Sequence, residues 1–327
     1  MNRRHLLLAA AATVMSGRTF AQPASRKLRV LVLHSAPIRS GPYHGALKER
    51  LATHGFIEGK NLVLDAPLLE IVGFDFVRQS LAKMLKQKPD ALFTFTPRIT
   101  DSALAEAPNV PLVFVWVDDP VKAGLVKDYS RPGGKATGVT NRFAEVAGKR
   151  LEFLRELAPK IRRVAVVGPT YQPDGEAALA TMRPIAQRLA FELIEVAAVG
   201  SQLTLEIQHA IRGGAEAVLP LLVFSMSGAR GTGEEVVRLC AAHRVPAIFA
   251  ESEMVEVGAL ASYGTNLLDD VRRGADMLAR ILRGAKPADI PIDQASQFEL
   301  ALNLKTAREM KMRVPQPIVL RADRVIE

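Results

Sequence analysis

The sequence contains few of the residues that form metal and disulfide sites. Its 327 residues include one cysteine, Cys240, and six histidines, none of them in a C-x-x-C or H-x-x-x-H spacing. A single cysteine excludes a disulfide within the chain, and scattered histidines do not favour a zinc site. We therefore predict no metal. Cys240 has apolar neighbours in a helical pattern, which favours a buried thiol over a reactive one.

Glycine-rich loops that bind cofactors are also lacking. The first predicted strand, at 28–34, leads into Ser35, Ala36 and Pro37 instead of a G-x-G-x-x-G turn. The glycines at 228–233 lack the lysine of a phosphate-binding loop, and G-x-S-x-G does not occur. We therefore predict no cofactor and assign no catalytic residue.

No uncharged hydrophobic run reaches the roughly 20 residues needed to cross a bilayer. The apolar run at 6–15 follows Arg3 and Arg4 and precedes small residues ending at Ala21, which is the pattern of a signal peptide. The paired arginines leave both the Tat and the Sec export routes open. Either route predicts a periplasmic protein from which residues 1–21 are removed.

A strong excess of charge of one sign is absent as well. The chain has 43 Lys and Arg against 34 Asp and Glu, or +9, and loss of Arg3, Arg4 and Arg18 with the signal peptide leaves +6. The basic residues are spread among acidic ones and form no stripe, so we expect no binding of nucleic acid.

Short apolar runs alternate with amphipathic stretches from 28 to 282, which predicts parallel sheets with crossover helices. The turn at 131–134 interrupts this pattern, which begins again at 163. A mature length near 306 residues favours two lobes. We predict an α/β protein with two Rossmann-like lobes and hinges near 138–141 and 264–266. Residues 22–139 with 265–327 would form the first lobe, and 140–264 the second.

Ligands of parallel α/β sheets bind beyond the carboxyl ends of the strands. Short hydroxyl, amide and carboxylate side chains follow the predicted strands, and such groups suit a polar solute. The candidate ligand-binding residues are Ser35, Thr94, Thr96, Asp118, Asp119, Thr140, Asn141, Thr170, Tyr171, Ser225 and Glu251. The same residue types also cap helices and form turns. For Asp118 and Asp119 we favour a cap or a ligand contact over catalysis.

Short segments that match one known family are spread over nearly the whole mature sequence. They are GFIEGKN at 55–61, PLVF at 111–114, DPV at 119–121, GLV at 124–126, RPGG at 131–134, TGV at 137–139, KRLE at 149–152, RVAVV at 163–167, SYG at 262–264, GAKPAD at 284–289, FEL at 298–300, NLKTA at 303–307, RAD at 321–323 and VIE at 325–327. Each segment is weak alone, but their order is highly specific. The chain resembles the ABC transporter substrate-binding proteins of the tryptophan/tyrosine type.

This resemblance implies the type I periplasmic-binding fold. It also implies a receptor, acting as a monomer, that passes a small solute to an inner-membrane permease powered by a cytoplasmic ATPase. An amino acid or an aromatic compound would be the cargo. The chain departs from the family pattern in four places. The segment at 94–97, TFTP, is one residue shorter and bulkier than the usual segment with Gly or Ala before Thr-Pro. Asp118 stands where a small or hydroxyl residue is common, and Lys135 and Gly168 stand where asparagine is usual.

Two other functions suit the same bilobed scaffold. One is a sensory module that reports a ligand to a membrane receptor, and the other is a periplasmic enzyme, such as a two-domain transferase. Turnover that depends on Asp118 or Asp119 would indicate the enzyme, whereas neighbouring genes for a permease and an ATPase would indicate transport. We favour capture of a small solute between the lobes by hinge closure.

Overall fold

The computed structural model describes residues 26–34, 41–67, 74–171, 173–221 and 230–327. The predicted signal peptide, Ser35 and Ser225 lie outside these residues. Within them, no helix has the length and apolar character needed to cross a membrane.

The first lobe is built on a six-stranded sheet in which all strands are parallel. Its strands are β1 (Leu28–Leu33), β2 (Leu62–Asp65), β3 (Ala91–Phe95), β4 (Leu112–Val117), β5 (Ala136–Thr140) and β11 (Asp293–Gln294). Their order across the sheet is β11-β5-β4-β3-β1-β2. β3 and β4 are buried along their whole length. Strands that are buried along their whole length in this way belong to parallel sheets that are covered on both faces.

Helices cover both faces of this sheet. They are α1 (Pro42–Thr53), α2 (Phe74–Leu85), α3 (Pro97–Glu106) and α9 (Leu267–Leu282). Leu47 of α1 and Leu278 of α9 pack with Phe93 on one face, and Leu81 of α2 and Ile99 of α3 pack with Phe114 on the other. The first lobe therefore has a core layer on each side of the sheet.

The second lobe has two adjoining sheets. The strands of the first are β6 (Arg163–Gly168), β7 (Glu192–Ala197) and β8 (Ala217–Pro220), in the order β7-β6-β8. Those of the second are β9 (Ile248–Phe249), β10 (Ala261–Thr265), β12 (Phe298–Asn303) and β13 (Arg324–Ile326), in the order β13-β12-β10-β9. A bridge between Val218 and Ala247 joins the two, and β10 and β12 are antiparallel.

The helices of the second lobe are α4 (Phe143–Leu157), α5 (Pro173–Arg188), α6 (Leu203–Arg212), α7 (Arg230–His243), α8 (Glu253–Glu256), α10 (Leu304–Glu309) and α11 (Gln316–Arg321). Leu154 of α4 and Met182 of α5 share one core cluster with Leu300 of β12. Cys240 lies in the opposite cluster, beside Val236 and Phe249. Burial raises the pKa of its thiol to about 12, which confirms the prediction of a packed, unreactive cysteine.

The C-terminal region is divided between the two lobes. The predicted first lobe included all of 265–327, and α9 and β11 do lie there. β12 and β13, however, pair with β10 in the second lobe. The difference arises because strand pairing at long range, rather than the local pattern, decides to which sheet these short strands belong. The chain consequently passes between the lobes three times, at 141–142, at 266 and at 295–297.

Candidate functional site

An irregularity in β4 positions the side chains at its carboxyl end. The pairing of β4 with β5 shifts register between Val115 and Val117, and Trp116 between them has a φ of 62°. Such bulges commonly occur beside functional sites, where they redirect a side chain. The Trp116 ring packs against Phe95 and Tyr43, with centroids 4.8 and 5.0 Å away. This packing fixes the backbone from which the next two residues extend.

Asp118 follows the end of β4, and its side chain contacts the start of α4 in the other lobe. The backbone N–H of Ala144 donates to Asp118 Oδ1 at 3.2 Å. Arg142, the residue before α4, has a left-handed backbone and provides no side-chain cap of its own. Asp118 therefore supplies the negative charge and the acceptor that a helix N-terminus requires.

A cavity of about 360 Å³ opens beside Asp118. Its described walls come from the first lobe, the crossing segment and the second lobe: Asp118, Asp119, Tyr129, Thr140, Gln294, Arg142, Ala144, Glu145 and Thr181. Arg142 is engaged by Glu145, one turn further on, in an ion pair. The wall is therefore polar, and the positive charge of Arg142 is already paired with the carboxylate of Glu145.

Asp119 is held by its own turn. Its Oδ1 accepts hydrogen bonds from the backbone N–H groups of Val121 and Lys122 at 3.1 and 2.9 Å, and from the Tyr129 hydroxyl at 3.1 Å. Burial, followed by the hydrogen bond to Asp119, raises the pKa of Tyr129 to about 12. Asp119 therefore acts first as a structural cap, and it positions Tyr129 on the cavity wall.

The charge of Asp118 affects the pKa of a second carboxylate, Asp174, in the first turn of α5. Burial and, after it, the charge of Asp118 together raise the pKa of Asp174 to about 6. Burial is also the main reason that the pKa of Asp118 is raised, and its bond from Ala144 opposes this effect. Because Asp118 and Asp174 belong to different lobes, bringing the lobes together brings two negative charges together.

The two threonines at the end of β3 have mainly structural contacts. Thr94 is fully buried, and its hydroxyl lies 2.8 Å from that of Thr100 in α3. Thr96 has a φ of 69° directly before α3, and its carbonyl oxygen accepts a bond from the Thr100 hydroxyl. These positions favour the cap and turn interpretation for Thr94, while Thr96 stays at the carboxyl edge of the sheet.

Thr140 and Asn141 lie where β5 leads into the first crossing segment. The Thr140 hydroxyl and the Asn141 side-chain oxygen are buried, and neither has a hydrogen-bond partner among the described residues. In the second lobe, Thr170 is buried after β6, and Glu251 is buried after β9. Tyr171 is 59% exposed. The cavity thus unites Asp118, Asp119 and Thr140, whereas its described wall does not include Thr94, Thr96, Asn141, Thr170, Tyr171 or Glu251.

Part of the site comes from outside the strand ends and was not predicted from the sequence. Arg142 and Glu145 lie at the start of α4, Thr181 lies inside α5, and Gln294 lies on the two-residue strand β11. The rule used for prediction considers the ends of strands, and none of these positions follows a predicted strand directly. A search of helix starts next to the predicted hinge at 138–141 would have found Arg142 and Glu145.

A comparison with protein families decides the classification. The family described as ABC transporter substrate binding protein matches residues 28–326. The chain belongs to this family. The match spans both lobes and all three crossing segments, as the resemblance in the sequence predicts.

Individual relatives of this substrate-binding protein are more distant. A tyrosine-binding protein of Clostridioides difficile is 24% identical over 265 residues, which cover 80% of this chain and 74% of that protein. A conserved domain protein from Vibrio cholerae has a TM-score of 0.80 at 23% identity. An ABC domain from Streptococcus pneumonia in complex with L-Trp has a TM-score of 0.79 at 21% identity. Each structural match covers 92% of this chain and 100% of the other, and both confirm the predicted periplasmic-binding fold.

Proposed function

We propose that this protein is the solute-binding component of an ABC importer and captures a small molecule between its lobes by hinge closure, without changing it chemically. The observation that carries the proposal is the cavity beside Asp118, because both lobes contribute to its wall. A ligand shifts the balance between open and closed forms only by its difference in affinity for them. Contacts from both lobes provide such a difference.

The three crossing segments are the proposed hinge. Each is three residues long or shorter, so a few backbone rotations at these positions change the angle between the lobes. Arg142 in the first segment already has a left-handed backbone. Asn266 in the second accepts a bond from the Asp269 N–H and fixes the start of α9. The predicted hinges at 138–141 and 264–266 include parts of two of these segments.

The proposed solute is an amino acid or an aromatic compound. The names of the relatives support this choice, since one is a tyrosine-binding protein and another was solved with L-Trp. At the cavity wall, Asp118 and Thr140 of the first lobe would contact the solute. Closure would bring further contacts from residues outside this wall: Thr96 of the first lobe, Asn141 at the crossing, and Thr170, Tyr171 and Glu251 of the second lobe. Asp119, as part of the cavity wall, would contact the solute on the side of the first lobe.

The proposed setting is the periplasm, because members of this family act outside the cytoplasm. The signal peptide at 1–21 would direct export through the Tat or the Sec route. The protein would act there as a monomer and deliver its solute to an inner-membrane permease. The engagement of Asp119 in its own turn supports binding over catalysis by the Asp118 and Asp119 pair.

A thermal-shift screen of the mature protein tests the proposal. Amino acids, aromatic acids, amines, nucleobases and sugars are each added in excess, and the compound is recovered afterwards. A ligand that binds only the folded form stabilises it by RT ln(1 + [L]/Kd), or about 2.7 kcal/mol at a concentration of 100 Kd. We expect a saturable shift with one class of compound, recovered unaltered. Consumption of the compound would favour the enzyme, and the absence of a shift with every class would contradict solute binding.

A further inference from the structure

The carboxyl ends of β4 and β5 bring three hydrogen-bond acceptors together. Val117 and Thr140 are register partners in these parallel strands, so Asp118 and Asn141 follow at neighbouring positions. Asp118 and Thr140 both line the cavity. The group therefore consists of a carboxylate, a hydroxyl oxygen and an amide oxygen at one edge of the sheet.

Two of these acceptors are buried without a partner in the described part of the chain. Thr140 is 1% exposed, and its Oγ1 has no hydrogen bond there. The same holds for Asn141 Oδ1. Thr140 lines the cavity, and Asn141 is the next residue along the chain. Buried polar atoms in native proteins are nearly always paired, so two open acceptors at and beside the cavity indicate a donor that the chain does not itself provide.

The charge around these acceptors is negative. Asp118, Asp119 and Glu145 line the cavity, and Asp174 is near enough to Asp118 to be affected by its charge. Of the cations, Arg142 is paired with Glu145, and the charge of Lys122 acts on Asp118 from the turn after it. Burying the carboxylate of Asp118 is costly unless a positive charge offsets it.

We propose that Asp118, Thr140 and Asn141 bind the ammonium group of the solute. An –NH₃⁺ group has three donors and no acceptor, which matches one carboxylate and two neutral oxygens. Its charge also offsets the repulsion between Asp118 and Asp174 when the lobes approach. A carboxylate has no donor and would be repelled by Asp118, and a hydroxyl has a single donor for the three oxygens, so neither matches this group as well. The inference rests on the proposed function and narrows its substrate class to amines and amino acids.

Binding of matched compounds, measured by isothermal titration calorimetry, tests the inference. One set is L-tryptophan, tryptamine and indole-3-propionate, a second is L-leucine, isopentylamine and 4-methylpentanoate, and D-ribose is the neutral compound. We expect binding by a compound that carries an ammonium group and none by the two carboxylates without one. Binding by the amine would place the solute among amines, and binding by the amino acid alone would place it among amino acids.

Single substitutions test whether Asp118 and Thr140 contact the ammonium group. Asp118→Asn is expected to weaken binding of the ammonium compound 10- to 100-fold, the effect of losing a hydrogen bond to a charged group. Because Asp118 also caps α4, Thr140→Val provides a second variant that removes one acceptor at nearly constant size, with an expected loss of 2- to 10-fold. Glu309→Gln, on the exposed end of α10, removes the same charge elsewhere and should leave affinity unchanged.

The possible failures differ from one another. Binding of indole-3-propionate, 4-methylpentanoate or D-ribose in place of the nitrogen compounds would overturn the ammonium site and leave solute binding intact. Full affinity for the ammonium compound in both Asp118→Asn and Thr140→Val would also overturn the ammonium site and leave solute binding intact. If no compound binds here and none shifts the melting temperature in the broader screen, both the ammonium site and the proposed function are overturned.

Discussion

Replacing Gly264 with alanine is expected to lower the free energy of unfolding by about 1 to 3 kcal/mol or more. Gly264 lies in β10, two residues before the second crossing segment. A Cβ atom there would stand 2.9 Å from the carbonyl carbon of Ala250 and closer still to its oxygen. Both obstacles are backbone atoms, so relief requires movement of the strand or of the segment that leads to Glu251. Urea unfolding measures the change.

Gly45→Ala is the matched control. Gly45 lies inside α1, and a Cβ atom there would meet nothing within 4 Å. Alanine has a higher helix propensity than glycine, so this variant should be as stable as the wild type or gain up to about 1 kcal/mol. A loss below 1 kcal/mol in Gly264→Ala would contradict the close approach of β10 to Ala250.

Replacing Asp174 with asparagine is expected to stabilise the protein at neutral pH and not at acidic pH. The pKa of Asp174 in the folded protein is about 6, against 3.8 for an ordinary aspartate. A folded-state pKa that is raised means that folding disfavours the charged form, so the wild type loses stability as pH rises from about 4 to 6. At about 1.36 kcal/mol per pKa unit, the penalty above pH 6 reaches at most about 3 kcal/mol.

The asparagine variant cannot ionise, so its advantage should grow across this pH range and disappear below pH 4. Unfolding by urea at several pH values measures both proteins. Glu176→Gln is the control, because Glu176 lies in the same first turn of α5 but is exposed. An advantage of Asp174→Asn that is equally large at pH 3.5 and pH 7.5 would show that burial of the charge is not its cause.

The local pattern was sufficient to predict most of the fold. The pattern predicts strands at 91–95 and 112–117 and helices at 143–157, 203–212 and 267–282, and β3, β4, α4, α6 and α9 have these bounds. In β4 a continuous apolar run ends at Asp118, and α9 starts at its cap, Asn266. Each of these signals lies in the sequence directly next to the strand or helix whose end it marks.

The region after α9 could not be predicted in this way. β11 has two residues, and β13 has three, which is too short for a periodic pattern. β12 is antiparallel to β10 and belongs to the other lobe from β11, although three residues separate β11 from β12. Such a division depends on contacts between distant parts of the chain. The third crossing segment was therefore missed.

Only part of the site could be predicted, because some of its residues are placed by local sequence and others by contacts between distant parts of the chain. Asp118, Asp119 and Thr140 line the cavity because the carboxyl ends of neighbouring parallel strands meet at one edge. Glu145 and Thr181 reach the cavity from helices of the second lobe and Arg142 from the crossing segment, and their positions depend on how the lobes are joined. Local sequence does not contain that information.

Small-angle X-ray scattering tests hinge closure most directly. The mature protein is measured alone and with a saturating concentration of the compound that gives the largest thermal shift. We predict a smaller radius of gyration and a contracted pair-distance distribution when the solute is bound. Superimposable scattering curves at full occupancy, confirmed by calorimetry on the same sample, would contradict the capture of a solute by closure of the two lobes.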